Sequence, residues 1–496
     1  MKKSSKLAVS LLASLVAVSG VSAIPASNGQ VAPTVESVFS IYNKDEPLIR
    51  YDFLPEEEMP ILGYIGVVGA NAGNAGNGGV NPSFINKANF LRYKDAGFNI
   101  LSGLYETDSF ATPNPEVHKS MELCEELGLA YFVCDNNFKS QEDYTKVTPM
   151  STEKAVELMQ KKWYLNEAAF GGIAVKDEPT WQNFPQMGSI SEALKQLTDG
   201  KIVYTNLFPK YAKSSQIGFT GATSSSWEEY EEYCTKFIET VKPDVLAYDY
   251  YVFMRKGSTL SNASGSNDLI SQGASEVNVD GYFTSLSYFR ELSKKYNTPF
   301  WVTVAAYNHR HGNHYTQKQT EWTVNTSLAY GAKGIQYYTY WASGISGSTF
   351  EDWEGQSQRG LVSLNGSIHD AYYRVQKINQ NIKTVDHVLM KATHKGVIQY
   401  GNQSLKLVPQ DVLYGYGLLN NIEGGDTFVG CFELNGKDVY YIVNNSVNAG
   451  TQTFKANFVD NVSVKLTNLD GVRTCNNTYS VGFNLSGGEA ILLEVL

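Results

Sequence analysis

The sequence has few cysteines, few histidines and no excess of positive charge. It contains five Cys and seven His in 496 residues, and no two cysteines have the CxxC spacing typical of structural zinc sites. The formal net charge of −10 argues against nucleic acid, whose phosphates require a basic surface, and against an anionic membrane surface. Beyond the N-terminus, no apolar run is long enough to cross a bilayer. None of these observations argues against a neutral substrate.

The cysteines are too scattered to form a disulfide framework. Cys124, Cys134 and Cys234 fall within helix or strand patterns, and we expect them to be small core residues. Cys431 and Cys475 could pair within the C-terminal part, although a chain of this size does not need such a link.

The N-terminus has the pattern of a secretory signal. Residues 1–23 begin with Lys2, Lys3 and Lys6, continue with a short apolar run and end in small residues up to Ala23. We therefore expect cleavage after Ala23 and an exported protein, secreted or periplasmic, without membrane insertion. The oligomeric state stays open.

Strand and helix patterns alternate strictly from Pro60 onward. Eight apolar, β-rich runs alternate with eight polar stretches of helical spacing, which predicts an α/β fold and a closed (β/α)₈ TIM barrel over residues 60–388. An N-terminal extension, residues 24–59, leads into the barrel. Short alternating strands with a hairpin signal at Asn435-Gly436 predict a smaller all-β sandwich over residues 389–496. The predicted barrel strands are 61–69, 98–106, 129–135, 170–178, 201–208, 244–251, 300–307 and 334–341.

Polar and aromatic residues stand where the predicted barrel strands end. Catalytic groups of such barrels lie at the C-terminal ends of the strands. Aromatic rings stack on the apolar faces of sugar rings, and amides and carboxylates bind hydroxyls, so these residues predict a carbohydrate substrate. The expected substrate-binding residues are Tyr105, Glu106, Asn206, Tyr250, His309, Gln336, Tyr340 and Trp341.

The fourth predicted strand, in "GGIAVKDEPT", runs into two adjacent carboxylates. Glycoside cleavage needs a carboxylic acid to protonate the leaving oxygen, and Glu178 suits that role because Asp177 and partial burial would raise its pKa. Asp249 is the favoured second carboxylate. The structural alternatives are an ion pair of Glu178 with Lys176 or an Arg, a helix-capping role for Asp177, and a hydrogen-bonding role for Asp249.

These motifs resemble the clan A glycoside hydrolases, the barrel group that includes β-galactosidases and cellulases. "GGIAVKDEPT" is similar to the Asn-Glu-Pro signature of that group, and "YKDAGFNI" and "GAKGIQYYTYW" match it as well. The resemblance implies that Glu178 is the acid/base. It departs in two places, because Asp177 replaces the Asn and the seventh strand, "FWVTVAAYNH", lacks the nucleophilic Glu.

Several hypotheses follow for the missing nucleophile. Asp249 could supply it, or Glu351 or Glu354 could reach in from the loop after the eighth strand. The Asp-Glu pair also resembles the substrate-assisted hexosaminidases, in which the Asp orients an acetamido nucleophile.

The leading interpretation is a secreted glycosidase that acts on a neutral oligo- or polysaccharide. The rivals are a non-catalytic carbohydrate-binding protein on a barrel scaffold and a metal-dependent hydrolase that uses His309, His311 and His314. A substrate-contacting loop is the preferred interpretation of these histidines, with no metal site, and the sequence implies no cofactor.

Overall fold

The structure is a computed structural model that describes most of the chain. It describes residues 51–70, 83–111, 113–138, 149–253, 276–306, 315–342, 360–363, 365–401, 412–447 and 449–496, with the backbone alone at 104–106 and 276–280. The predicted signal peptide, residues 1–23, lies outside these ranges. None of the described helices is both long and apolar enough to cross a membrane.

The N-terminal domain is a closed barrel of eight parallel strands, as predicted. Each neighbouring pair of strands is parallel, and the last strand pairs with the first, for example Gln336 with Leu62. All eight predicted strands are present, and apart from the first, which ends at Gly63 and not at residue 69, their bounds lie within three residues of those expected. They are β1 (Ile61–Gly63), β2 (Ile100–Asp108), β3 (Ala130–Asp135), β4 (Phe170–Asp177), β5 (Ile202–Leu207), β6 (Leu246–Asp249), β7 (Phe300–Ala305) and β8 (Ile335–Tyr338).

Helices follow the barrel strands. Several begin at a side-chain cap: the Ser151 hydroxyl accepts from Lys154 N, and Ser226 and Thr316 each form a capping box. The helices are α1 (Lys87–Asp95), α2 (Pro115–Leu127), α3 (Thr152–Met159), α4 (Phe184–Leu197), α5 (Trp227–Val241), α6 (Glu276–Tyr296), α7 (Gln317–Ala329) and α8 (Asp370–Leu389).

A compact layer of apolar side chains fills the lower part of the barrel. Phe132, Tyr204 and Trp301 are the largest members that the barrel strands contribute. Tyr51, just before the barrel, packs edge-on against Trp301 with ring centroids 5.8 Å apart. This layer forms the floor beneath the polar groups at the C-terminal ends of the strands.

The C-terminal part is a separate antiparallel sheet domain, which confirms the predicted β-sandwich. The strands run in the order β10-β13-β15-β12-β11-β9, with β14 paired to β13. The first and last strands in this order, β10 and β9, are linked by the Tyr400 hydroxyl, which donates to the Asn420 carbonyl at 3.3 Å. The strands share one apolar core. They are β9 (Thr393–Tyr400), β10 (Leu419–Glu423), β11 (Thr427–Leu434), β12 (Lys437–Asn444), β13 (Gln452–Asn468), β14 (Gly471–Leu485) and β15 (Ala490–Val495).

The sandwich packs on α7 of the barrel. Every residue of α7 from Gln319 to Ala329 is buried. Asn325 Nδ2 donates to the Gly488 carbonyl and its Oδ1 accepts from the Tyr441 hydroxyl, each at 2.7 Å. The second domain therefore covers a helix that would otherwise expose a continuous surface.

All five cysteines are free. Cys124, Cys134 and Cys234 are buried, as predicted. The possible pair of Cys431 and Cys475 does not form, because Cys431 lies within the sandwich core while Cys475 stands on β14 at its border.

Candidate active site at the C-terminal ends of the barrel strands

Asn206, near the end of β5, lies between two carboxylates. Its Nδ2 donates to Asp249 Oδ1 at 3.2 Å, and its side chain also hydrogen-bonds Asp177. Asp177 and Asn206 are direct partners in the ladder between β4 and β5, and Asp249 ends the next strand. Because parallel strands end at one edge of the barrel, three neighbouring strands bring these polar groups together.

A second row of polar side chains supports Asn206 from below. The Thr303 hydroxyl lies 2.9 Å from Asn206 Oδ1 and 2.7 Å from Gln336 Oε1. The Tyr204 hydroxyl donates to the same Gln336 oxygen at 2.6 Å. These contacts hold the Asn206 oxygen toward Thr303, which leaves its amide nitrogen facing the carboxylates. Asn206 and Gln336, both predicted to contact substrate, therefore have a supporting position beneath the site.

Three half-buried tyrosines, Tyr64, Tyr251 and Tyr338, stand beside the carboxylates, and we call them the tyrosine wall. The Tyr64 hydroxyl donates to Asp177 Oδ2 at 2.8 Å. The Tyr338 ring lies 5.3 Å from that of Tyr64 and 5.9 Å from that of Tyr251, between centroids. Tyr251 in turn hydrogen-bonds Asp249. The wall therefore links the two carboxylates along an aromatic surface.

The two aspartates are electrostatically coupled. Burial and, next, the charge of Asp177 raise the pKa of Asp249 to about 7, against the hydrogen bonds from Asn206 and Tyr251 that lower it. Burial also raises the pKa of Asp177, while the hydrogen bonds from Tyr64 and Asn206 lower it. Two carboxylates joined through one amide resist being charged together, so the pair favours keeping a shared proton.

Glu178 follows β4 in a strained backbone conformation. Its φ is 45°, in the left-handed region, and its N–H donates to the Asn206 carbonyl at 2.8 Å. Burial raises the pKa values of Tyr211 and Tyr251, and the charges of Asp249 and Glu178 raise them further. Strained residues that are held in place by their surroundings cluster at functional sites.

Three predicted substrate-binding aromatics do not face the site, and those predictions are wrong. Tyr340 is fully buried, with its ring against Tyr93 and Phe98 on the outside of the barrel. β8 ends at Tyr338, so the alternation that would have turned Tyr340 inward does not continue. Trp341 is buried against Phe84, with ring centroids 4.8 Å apart.

Tyr250 is the third correction. It is buried, and its hydroxyl lies against Gly281 of α6, with its ring 5.8 Å from that of Tyr282. Since side chains alternate along a strand, Asp249 and Tyr251 point inward and Tyr250 points toward the helix layer.

The remaining candidates are outside what the structure describes in atomic detail. Of Tyr105 and Glu106 only the backbone is described, within β2, and the loop with His309, His311 and His314 lies outside the described ranges, as do Glu351 and Glu354. Among the residues that are described, no group of three or more His, Cys, Asp or Glu could hold a metal ion.

Asp135, at the end of β3, is an acidic residue at a strand end whose partners lie outside the candidate site. Its Oδ2 lies 2.7 Å from Lys162 Nζ and accepts from the Tyr164 hydroxyl at 2.9 Å, while Oδ1 accepts from Asn137 N at 2.8 Å. Both members of this ion pair are buried. Its donors are internal, so we assign Asp135 a structural role.

Tyr64, Tyr338 and Thr303 were missed at the sequence level, and Tyr251 was passed over in favour of Tyr250. Period-two alternation was the available signal: Gln336 and Tyr338 share the inner face of β8, and Asp249 and Tyr251 share that of the sixth strand and its extension. Tyr64 directly follows β1, which ends at Gly63 and not at the predicted residue 69.

Comparison with known proteins shows a shared fold. No protein-family model and no curated protein matches the sequence. Among solved structures, an α-amylase from Geobacillus thermoleovorans complexed with acarbose matches 89% of this chain and 99% of its own at 10% identity, with a TM-score of 0.50. A GH30 endoxylanase from Clostridium papyrosolvens covers 82% of this chain and 91% of its own at 13% identity, with a TM-score of 0.38. The closed barrel and the antiparallel domain that follows it confirm the predicted architecture as a fold.

Proposed function

We propose that the protein is a glycoside hydrolase that is exported and cleaves a neutral oligo- or polysaccharide. Glu178 is its general acid/base, Asp249 its second carboxylate, and Asp177 the residue that orients both. The observation that carries the proposal is the meeting of Asp177 and Asp249 at Asn206, beside Glu178, at the C-terminal ends of the barrel strands.

The chemistry follows from two carboxylates with different tasks. Glycosidic cleavage requires one carboxylic acid to protonate the leaving oxygen and a second carboxylate to attack the sugar or activate water. Asp249 must be deprotonated for the second task. Because its pKa is raised to about 7, its active fraction increases as the pH rises through neutrality.

The tyrosine wall supplies a surface for a sugar ring. Its three rings are half-buried and continuous beside the carboxylates. Aromatic faces stack on the apolar faces of pyranose rings, and the Tyr64 and Tyr251 hydroxyls already hold the carboxylates in place. The acarbose in the α-amylase crystal is consistent with a carbohydrate ligand in a barrel of this fold.

A substrate-assisted mechanism is the second candidate. Asp177 precedes Glu178 directly and accepts from Tyr64 and Asn206, which fixes its orientation. Such an aspartate could orient the 2-acetamido group of a hexosaminide, and Asp249 would then be dispensable for chemistry.

The test is a hydrolysis screen of the exported chain on aryl glycosides, including 2-acetamido sugars, and on polysaccharides. Glu178→Gln is measured beside Glu192→Gln, a matched change at an exposed position of α4. We expect turnover of substrates with poor leaving groups, such as the polysaccharides, to be lost in the first and kept in the second. Sugar binding without turnover in any form of the protein would instead indicate a carbohydrate-binding scaffold.

A further inference from the structure

The long hairpin of the sandwich is bent back on itself. β13 and β14 pair along their length, but the register shifts between Asn457 and Val462. The Arg473 guanidinium donates to the Gly482 carbonyl, nine residues further along the same strand. In a straight strand these residues would be about 30 Å apart. The two halves of the hairpin therefore face each other across a concave surface.

This concave surface forms a groove with a volume of about 390 Å³. Its floor consists of Leu466, Phe483 and Ile491, which belong to the sandwich core. A floor of this kind is apolar and rigid, because its side chains are packed from below. The volume lies within the usual range for small-molecule sites, about 300–1,000 Å³.

The rim of the groove carries polar groups of every hydrogen-bonding type. The Thr453 hydroxyl donates to Asn484 Oδ1 at 2.9 Å, which fixes one amide. Asp470 N donates to Asn468 Oδ1 at 3.1 Å, which fixes a second. Asp470 and Arg473 add charges of opposite sign. The rim thus offers donors and acceptors without a net charge.

We propose that this groove is a second carbohydrate-binding site, which takes a segment of a neutral oligosaccharide or polysaccharide. A sugar ring has an apolar face for the floor and hydroxyls that both donate and accept at the rim. The charges of Asp470 and Arg473 balance, so the rim does not select for a net charge, and a purely apolar ligand would cover the polar rim without hydrogen-bonding to it. The inference goes beyond the barrel site and does not require that the barrel hydrolyse anything.

Binding is tested in the full-length chain with Glu178→Gln as background, so that no polymer is consumed. We compare three proteins, namely Glu178→Gln alone and Glu178→Gln combined with Asn468→Ala or with Asn484→Ala. Their retardation is measured in native gels that contain starch, xylan, galactan or mannan. We expect each substitution to weaken binding by about fivefold, as for one lost hydrogen bond. Asn476→Ala, on an exposed part of β14 outside the groove, is the control and should not weaken it.

The outcomes separate this site from the barrel. The groove is supported if Asn468→Ala and Asn484→Ala reduce retardation in the Glu178→Gln background without changing its thermal unfolding, and leave aryl glycoside turnover unchanged when they are introduced into the chain with Glu178 intact. It is overturned if none of the four polymers retards the protein, or if retardation survives both substitutions. Groove-dependent binding without any glycosidase activity would refute the proposed function and leave the groove standing.

Discussion

At the scale of single residues, the arrangement around Asn206 explains how two acidic groups tolerate each other. One primary amide satisfies an oxygen of Asp249 and also bonds Asp177, while Thr303 fixes which way the amide points. Tyr64 and Tyr251 stabilise the outer sides of the two carboxylates. A buried acid with a raised pKa beside an oriented anion is the kind of difference on which acid–base catalysis depends.

Asp249→Asn should stabilise the protein at neutral and alkaline pH but not in acid. The folded state keeps the Asp249 proton up to a pKa of about 7, whereas the unfolded chain loses it near the ordinary value, so wild-type stability falls between these two values as pH rises. The variant lacks this loss, and its advantage should reach on the order of 2–4 kcal/mol. Urea unfolding at pH 4 and pH 8 measures it; an equal effect at both pH values would contradict the coupling.

Tyr64→Phe should destabilise the protein and change its pH–rate profile. The substitution keeps the ring that packs on Tyr338 but removes the donor to Asp177. We expect a loss of about 1–3 kcal/mol at pH 8, where Asp177 is charged, and a higher apparent pKa in the profile. Tyr373→Phe, at a site that is 55% exposed, is the control. Equal unfolding free energies for the Tyr64 variant and the wild type at pH 8 would show that the bond is unimportant.

At the scale of elements, the end of β4 combines chemistry with backbone strain. Glu178 adopts φ 45° directly before Pro179. A residue with a Cβ is disfavoured there, and glycine is not. The left-handed conformation of Glu178 therefore lowers the stability of the folded state while it fixes the direction of the Glu178 side chain.

Glu178→Gly should therefore be more stable than Glu178→Ala, by about 1 kcal/mol. Both variants remove the carboxylate, so the difference reports the backbone alone. Chemical denaturation of the two proteins measures it, and Gly128, which has φ 65° and where an added Cβ would meet no described atom of another segment within 4 Å, offers the reverse comparison with Gly128→Ala. A more stable alanine variant at residue 178 would mean that the left-handed conformation is not adopted.

The elements themselves could be predicted because each has a local signal. Apolar runs marked the eight barrel strands, and polar stretches of helical spacing marked the helices between them. Which side chains face inward was predictable only where the strand bounds were known. The prediction that Tyr340 contacts substrate was wrong because β8 ends two residues before it. The prediction for Tyr250 was wrong because side chains alternate along β6 and the residues that follow it, so that Tyr250 points toward α6.

At the scale of the whole molecule, the decisive contacts are distant in sequence. Tyr64 and Asp177 are 113 positions apart, and Tyr204 and Gln336 are 132 apart. No local pattern predicts such pairs, because they arise from barrel closure. The contacts of Asn325 could not be predicted from a local pattern either. This residue lies on α7, and its hydrogen-bond partners lie in the second domain.

Asn325→Leu should destabilise the barrel and the sandwich together. It leaves the Gly488 carbonyl and the Tyr441 hydroxyl buried without their partner, which should cost about 2–5 kcal/mol. Adding Tyr441→Phe removes one orphaned group and should recover part of the loss. Calorimetry should show a single transition that shifts as a unit. Two separated transitions would mean that the domains are not coupled through α7.

The most direct test of the central claim is the dependence of hydrolysis on the leaving group in Glu178→Gln. The active glycoside is compared as its 2,4-dinitrophenyl and its alkyl or sugar derivative, since only the poor leaving group needs a proton. If Glu178 is the general acid, kcat/KM for the poor leaving group should fall by about 10²–10⁴-fold, and that for the dinitrophenyl glycoside should fall far less. Equal losses for both substrates, or unchanged rates, would contradict the assignment of Glu178.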